Sequence, residues 1–152
     1  MSVPHESFMR HALELAATAA KQGEVPVGAL LVSPNGEIVA EAHNRTRKLS
    51  DPTAHAEMLV LREAGILIGD WRLEGHTLYS TLEPCSMCTG AAVLSRIARL
   101  VFGARDPKAG MCGSLENLAQ DPRLNHHVEL IEGVLAGESA YILQRFFQAR
   151  RS

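Results

Sequence analysis

Hydrophobic positions along the chain switch repeatedly between the spacing of a helix and that of a strand. Apolar residues recur every three or four positions over residues 5–22, and Gly23 follows as a candidate C-terminal cap. Two short apolar runs, at 27–32 and 37–42, flank the turn sequence Pro34-Asn35-Gly36. This part of the chain therefore predicts a helix followed by a β-hairpin.

The same alternation continues to the end of the chain. The further predicted strands lie at 77–82, 100–103 and 128–131, and the further predicted helices at 55–65, 85–94 and 138–150. A long glycine-containing loop is expected between residues 104 and 122. Because strands alternate with helices, the pattern predicts an α/β protein with three α/β/α layers and a central sheet of about five strands.

Composition places the chain among ordinary globular proteins. Hydrophobic residues make up 46% of its 152 residues, charged residues 21%, and the formal net charge is −2. This excludes global disorder and predicts a single domain over residues 1–152. No apolar run approaches the roughly 20 residues of a membrane span, and the first residues lack the features of a signal peptide. We expect a cytoplasmic protein with no membrane contact.

Two segments are basic although the whole chain is mildly acidic. Residues 92–113 carry Asp106 as their one acid, and residues 142–152 carry none. The basic residues in these segments are Arg96, Arg99, Arg105, Lys108, Arg145, Arg150 and Arg151. Such clusters are typical of a phosphate-binding surface on a nucleic-acid-binding protein, but a solvated basic face is equally common.

Two short motifs carry candidate metal ligands. His55-Ala56-Glu57 opens one predicted helix, and Cys85 and Cys88 open another immediately after Pro84. Cysteines three positions apart share one helix face, and the positive end of the helix dipole favours their thiolate form. Thiolate and imidazole ligands together suit Zn²⁺.

The number of ligands indicates a catalytic site. His55, Cys85 and Cys88 leave one tetrahedral position for a water molecule, which a catalytic zinc ion activates as a nucleophile. Glu57 follows His55 by two positions and so points in another direction along the helix. It can stand beside the water without being a ligand and act as general base and then general acid.

Each motif also has a simpler interpretation. Cys85 and Cys88 alone could form a thioredoxin-like redox pair, which would leave His55 and Glu57 without a role. They could also belong to a structural zinc ribbon, for which Cys112 is the one spare cysteine. A small buried cysteine is the more common case, so we expect Cys112 to be buried and not a ligand.

The combined pattern is more specific than either motif. A His-x-Glu followed about 30 residues later by Pro-Cys-x-x-Cys is the signature of zinc-dependent nucleobase deaminases. The stretches Asp51–Glu57 (DPTAHAE) and Thr81–Cys88 (TLEPCSMC) resemble the bacterial tRNA adenosine deaminases of the TadA type. Further similar stretches are EVPVG at 24–28, GARDPKAG at 103–110, GSL at 113–115, NH at 125–126 and FFQARR at 146–151. The resemblance spans residues 8–151, and Cys112 departs from the small residue that the family has there.

The resemblance implies a cytidine-deaminase-like fold with a mixed sheet, and deamination of adenosine to inosine at the wobble position of a tRNA anticodon. It implies one zinc ion per subunit on His55, Cys85 and Cys88, with Glu57 as proton shuttle. It further implies a homodimer whose RNA sites are completed by the partner chain. The residues that it places against the anticodon stem-loop are Asn44, Asp106, Lys108, Asn125, Phe147 and Arg151.

Two other functions remain open from the sequence. The motifs are shared with guanine deaminases and other free-base or nucleoside deaminases, which differ from the tRNA enzymes in substrate and not in chemistry. A catalytically inactive zinc fold that binds RNA is the second alternative. The basic segments favour RNA over a small neutral base, because a free base requires no phosphate-binding surface.

Overall fold

The computed structural model describes residues 4–151, with the last of them, Arg151, described by its backbone alone. The elements in chain order are α1 (His5–Lys21), β1 (Gly28–Val32), β2 (Ile38–His43), α2 (Ala56–Ile68), β3 (Thr77–Leu82), α3 (Ser86–Leu94), β4 (Arg99–Ala104), a 3-10 helix (Leu118–Gln120), β5 (Glu129–Ile131) and α4 (Ala136–Arg151).

The five strands form one mixed sheet in the order β2-β1-β3-β4-β5. β1 pairs antiparallel with both β2 and β3, whereas β3, β4 and β5 run parallel. The parallel strands are joined by crossovers, which place helices on the faces of the sheet. The predicted α/β class, the strand number and the mixed sheet are confirmed.

Helices cover both faces of the sheet. Helices α1 and α4 pack on one face, and α2 and α3 pack on the other. One hydrophobic cluster lies under α2 and α3 and includes Leu31, Val60 and Phe102. A second lies under α1 and includes Met9 and Tyr79. The sheet is therefore buried on both sides, as the three-layer prediction requires.

Helix α1 approaches the sheet closely at Gly28. A Cβ atom at this position would lie 2.0 Å from the carbonyl oxygen of Ala12 and 2.8 Å from the amide nitrogen of Ala16. Only glycine leaves room for the helix backbone there, and small alanines on α1 face the sheet. This contact fixes the start of β1 directly after the segment that lines the site described below.

The predicted end of α2 is wrong. The helix continues through Gly65 to Ile68, and Gly69 adopts the left-handed conformation with a φ of 78°. The amide of Gly69 donates to the carbonyl of Gly65 at 2.9 Å. Gly65 therefore lies inside the helix, and the left-handed Gly69 ends it four residues later.

None of the helices within residues 4–151 combines the length and the apolar character needed to cross a bilayer.

Candidate metal centre and active site

Two helices begin at the same edge of the sheet, and each start carries a candidate ligand. His55 is the N-terminal cap of α2 with an extended backbone (φ −73°, ψ 150°), and Cys85 is the cap of α3 (φ −78°, ψ −178°). Cys88 follows one turn into α3 and is buried. Both helices point their positive ends at this edge, which favours thiolates and other anions there.

The three predicted ligands meet at one point. The Nδ1 atom of His55 lies 3.6 Å from the Sγ atoms of both Cys85 and Cys88. In a tetrahedral zinc site, bond lengths of about 2.3 Å to sulfur and 2.0–2.1 Å to nitrogen give an N···S separation of roughly 3.5 Å. All three ligand atoms lie within 4.8 Å of one another. The donor set and the spacing both fit one zinc ion.

The thiols are prepared for metal binding. Cys85 and Cys88 are free cysteines, which rules out a disulfide in this structure. Hydrogen bonds from Cys88 and then from His55 lower the pKa of Cys85 to about 3, against the opposing effect of burial. The hydrogen bond with Cys85 and burial raise the pKa of Cys88, so the pair shares one proton. A divalent cation replaces that proton when it binds.

Cys112 lies outside this cluster, as expected. It is buried and its Sγ atom lies 3.3 Å from the hydroxyl of Thr89 on α3. Burial raises the pKa of its thiol to about 12. The ligand cluster within residues 4–151 consists of His55, Cys85 and Cys88 without it. Cys112 therefore fills space beneath α3.

A small cavity opens beside the three ligands. Its volume is about 220 Å³, and its walls include His55, Cys85 and Glu57. Pockets for drug-sized ligands occupy roughly 300–1,000 Å³, so this cavity suits a single ring system more than a whole nucleotide. A larger groove of about 750 Å³ runs along the outer side of α2, but none of the three ligands lines it.

Glu57 has the environment of a proton-transfer group. Its side chain lines the cavity in the first turn of α2 and is only 4% exposed. Burial is the main reason that the pKa of Glu57 is raised to about 7, since it disfavours the charged carboxylate. A carboxyl group with such a pKa exchanges protons readily at neutral pH.

Asn44 joins the cavity wall to the start of α2. Its Oδ1 atom accepts a hydrogen bond from the amide of Ala56 at 2.8 Å, and its side chain lines the cavity. Its amide nitrogen forms no hydrogen bond with any other described residue, and so remains a donor for a bound molecule. The side chain both positions the helix start and faces the site.

Comparison with known proteins agrees with this geometry. Residues 2–104 match the family described as the cytidine and deoxycytidylate deaminase zinc-binding region. The chain belongs to this zinc-binding deaminase family.

The deaminase has similar relatives of known function. It is 53% identical over 146 residues to the tRNA-specific adenosine deaminase of Bacillus subtilis, covering 96% of this chain and 90% of that one. A solved structure from a study of A-to-I editing by tRNA:A34 deaminases superposes with a TM-score of 0.86 at 45% identity, covering 90% of this chain and 99% of the other. The guanine deaminase of Bacillus subtilis is less similar, with a TM-score of 0.65 and 30% identity over 99% and 94% of the two chains.

Sequence reasoning missed Glu83, which organises one wall of the cavity. This buried carboxylate accepts hydrogen bonds from the amides of Asp106 at 2.9 Å and of Cys112 and Ser114 at 3.0 Å each. The hydroxyl of Ser114 donates a further bond to it. A Cβ atom on Gly110 would lie 2.2 Å from the Cδ atom of Glu83, so glycine is needed there. We name residues 105–114, held by Glu83, the β4 loop.

Glu24 has the same role on the opposite wall. It is buried and accepts hydrogen bonds from the amides of Arg47 and Lys48 and from the hydroxyl of Thr46. We name residues 44–53, which these bonds anchor, the β2 loop. A signal was present in the sequence for Glu83, which lies between the apolar run 77–82 and Pro84, whereas Glu24 carries no comparable signal.

Asp106 lies on the β4 loop and lines the cavity. Its Oδ1 atom also accepts bonds from the amides of Lys108 and Ala109, at 3.1 and 3.3 Å, which closes the turn that contains Pro107. Asp106 therefore has the structure of a loop-capping aspartate whose carboxylate stands at the edge of the site.

The other predicted RNA contacts lie outside the cavity. Lys108 and Asn125 are exposed on loops. On α4, Phe146 is 8% exposed and Phe147 is 43% exposed, with their rings edge to face. One of these neighbours belongs to the core and the other to the surface, as the helical spacing predicts. The side chain of Arg151 lies outside the described residues.

Ion pairs reduce the predicted basic surface over residues 92–113. Arg99 Nε lies 3.0 Å from Glu129, and Arg105 Nη2 lies 2.8 Å from Glu132. Both glutamates follow the basic segment 92–113 in the sequence and are not part of it. Two of the four cations are therefore offset, and Lys108 remains exposed between Asp106 and Ala109, which both line the cavity.

We expect Glu83→Gln to loosen the β4 loop. Glutamine has one acceptor oxygen in place of two and turns an N–H group toward backbone donors, so some of the four hydrogen bonds are lost. The free energy of unfolding at pH 7 should fall by about 1–3 kcal/mol. Urea denaturation measures this change, and Glu116→Gln, an exposed glutamate on the following segment, is the matched control.

The same variant should lose part of its acid sensitivity. Burial alone would raise the pKa of Glu83, but the hydrogen bonds from Ser114, Asp106 and Cys112 lower it below its ordinary value of 4.5. The stabilisation by this carboxylate is therefore complete above that value and is lost as the pH falls through the lowered pKa. Glu83→Gln should be destabilised less than the unchanged protein between about pH 6 and pH 3. Equal acid destabilisation of the two proteins would contradict this role.

Proposed function

We propose that this deaminase hydrolyses adenosine to inosine at the wobble position of a tRNA anticodon. The observation that carries the proposal is a base-sized cavity in which a buried carboxyl group adjoins three zinc-type ligands. The relatives that act on tRNA match almost the whole chain at high identity, which favours the same substrate here. The cytoplasm, where tRNA is found, is the proposed location.

We assign the metal to His55, Cys85 and Cys88, with one zinc ion per subunit. When bound, zinc supplies a Lewis acid that lowers the pKa of water and makes it a nucleophile at neutral pH. The cavity admits one base, so the target adenine must leave its stack, which costs least in an unpaired anticodon loop.

Glu57 moves the protons. Its carboxylate takes a proton from the attacking water and delivers it to N1 of adenine as oxygen bonds to C6. It then takes the second proton of the former water from the new hydroxyl on C6 and delivers it to the amino group, which leaves as ammonia as the C6–N bond breaks and the carbonyl of inosine forms. The raised pKa of Glu57 suits both directions of this transfer. Asn44 donates its free amide N–H to the base and orients it over the site.

The remaining proposed RNA contacts surround this cavity. Asp106 accepts a hydrogen bond from a ribose 2′-hydroxyl, which also distinguishes RNA from DNA. Lys108, Asn125, Phe147 and Arg151 contact neighbouring nucleotides of the stem-loop. The exposure of Lys108, Asn125 and Phe147 leaves them available for this role.

We propose that the chain acts as a homodimer through an apolar surface on α2 and α3. The exposed fraction is 81% for Ile66, 62% for Trp71 and 70% for Leu94. A groove of about 490 Å³ between these helices is lined by Met58, Ile66 and Trp71 among others. Such concentrated apolar exposure is typical of protein–protein interfaces, and two-fold dimers are the most common assemblies.

The substrate is tested with a synthetic anticodon stem-loop that carries adenosine at the wobble position. The zinc-loaded protein should form inosine in this RNA and release no ammonia from free guanine. Ammonia release from guanine with an unreactive stem-loop would assign the protein to the free-base deaminases instead.

Glu57→Ala separates an enzyme from an inactive RNA-binding fold. The variant should lose at least about a hundredfold in inosine formation, because the other carboxyl groups that line the cavity, Glu83 and Asp106, are occupied by backbone amides of the β4 loop. Zinc content and RNA affinity should be retained. Glu63→Ala, an exposed glutamate on the same helix, is the matched control and should keep full activity. Unchanged turnover in Glu57→Ala would refute the proton-transfer role.

The dimer is tested by Ile66→Glu. A charge in the centre of the apolar surface should convert the dimer to a monomer in analytical ultracentrifugation. Glu74→Gln, which alters one charge at an exposed position, should leave the mass unchanged. A monomeric starting protein, or a variant that remains dimeric, would contradict this interface.

A further inference from the structure

Two arginines from distant parts of the chain converge beside the C-terminal end of α1. Arg150 Nη2 lies 3.4 Å, and Arg47 Nη1 3.8 Å, from the point that a Cβ atom on Gly23 would occupy. Arg47 belongs to the β2 loop and Arg150 to the last turns of α4. Two guanidinium groups are thus held around one small space that glycine leaves open.

Like charges in such proximity repel each other, and within residues 4–150 the ion pairs involve neither Arg47 nor Arg150. Lys48 adds a third exposed cation from the same loop. The buried Glu24 attracts Arg47 electrostatically, but its oxygens are occupied by the amides of Arg47 and Lys48 and the hydroxyl of Thr46.

Helix capping accounts for only one of the two arginines. Arg47 Nη1 donates to the carbonyl of Gly23 at 3.3 Å, as expected for a cation at the carbonyl end of a helix. The guanidinium of Arg150 instead lies over the ring of Phe146, with its Cζ atom 3.7 Å from the ring centre. This stacking restricts the side chain and leaves its N–H groups at the edge free to donate.

The position of the pair indicates its ligand. The β2 loop that carries Arg47 and the segment after Gly23, which both arginines flank, lead into the cavity: Thr46 precedes Arg47, Val25 follows Gly23 by two residues, and both line the site. A strand whose base enters the cavity therefore passes next to the two guanidiniums. Charge-assisted bonds of about 2.8 Å allow both groups to donate to oxygens of one phosphate.

We propose that Arg47 and Arg150 form a binding site for one backbone phosphate of the RNA substrate, with Lys48 adding charge at its edge. The site rests on the proposed RNA substrate and adds to it a contact that joins the β2 loop to α4. Neither Arg47 nor Arg150 belongs to the metal cluster. Neither is among the residues that the sequence resemblance placed against the RNA.

The test compares Arg47→Gln/Arg150→Gln with Arg10→Gln. Arg10 is an exposed cation on α1, about 17 Å before the end of that helix, and controls for overall charge. Fluorescence anisotropy of a labelled anticodon stem-loop, measured over a range of salt concentrations, gives the Kd and its salt dependence.

We expect the double variant to bind the stem-loop about tenfold more weakly and the control to bind it normally. The slope of log Kd against log salt should fall by about 0.7, which corresponds to one phosphate on a single strand. The melting temperature should change little, since the repulsion that is removed offsets the loss of the Arg47–Gly23 hydrogen bond and of the stacking on Phe146. Equal affinities of double variant and unchanged protein, or equal weakening in Arg10→Gln, would overturn the site.

Inorganic pyrophosphate separates an RNA site from a site for free phosphate. It should raise the melting temperature of the unchanged protein more than that of the double variant. If pyrophosphate does so but RNA affinity is the same in both, the assignment to RNA is wrong. If the unchanged protein binds the stem-loop without forming inosine, the proposed function is wrong. The ratio of the stem-loop affinities of the unchanged protein and the double variant would still test the phosphate site.

Discussion

The metal centre depends on where two helices begin. His55 and Cys85 each occupy the capping position of a helix that starts at the same sheet edge, and this brings one nitrogen and two sulfurs within 4.8 Å. A shift of one residue at either start would turn its ligand by about 100° around the helix axis and disperse the cluster. The sheet order, the close packing of α1 at Gly28 and the hydrogen bond from Ala56 to Asn44 all contribute to holding these starts in place.

The walls of the cavity depend on a second constraint, which is the burial of two carboxylates. Glu24 and Glu83 each collect at least three hydrogen bonds from a loop that would otherwise have few contacts with the core. Buried carboxylates are costly unless their oxygens are satisfied, so each glutamate holds its loop in one arrangement. Glu57 differs from both because its burial is not compensated in this way, and its pKa rises while theirs fall.

The sequence predicted the layers, the strand number and the clustering of His55, Cys85 and Cys88, because these follow from periodicity and from short-range spacing. It did not predict the roles of Glu24 and Glu83, since their partners are mostly backbone amides 23–31 residues away. The sequence also did not show that two cations of residues 92–113 are paired with acids. Glu129 and Glu132 become neighbours of Arg99 and Arg105 only when β5 pairs with β4. The predicted end of α2 was wrong because a glycine inside a helix is tolerated, and the helix continues through Gly65 to its cap at Gly69.

X-ray absorption at the zinc edge tests the central claim most directly. The purified protein should hold one zinc ion per chain, with two sulfur atoms at about 2.3 Å and two nitrogen or oxygen atoms at about 2.0–2.1 Å. That pattern corresponds to Cys85, Cys88, His55 and one solvent molecule. A third sulfur from Cys112 in the coordination shell, or a metal-free protein with Cys85 and Cys88 joined in a disulfide, would contradict the account.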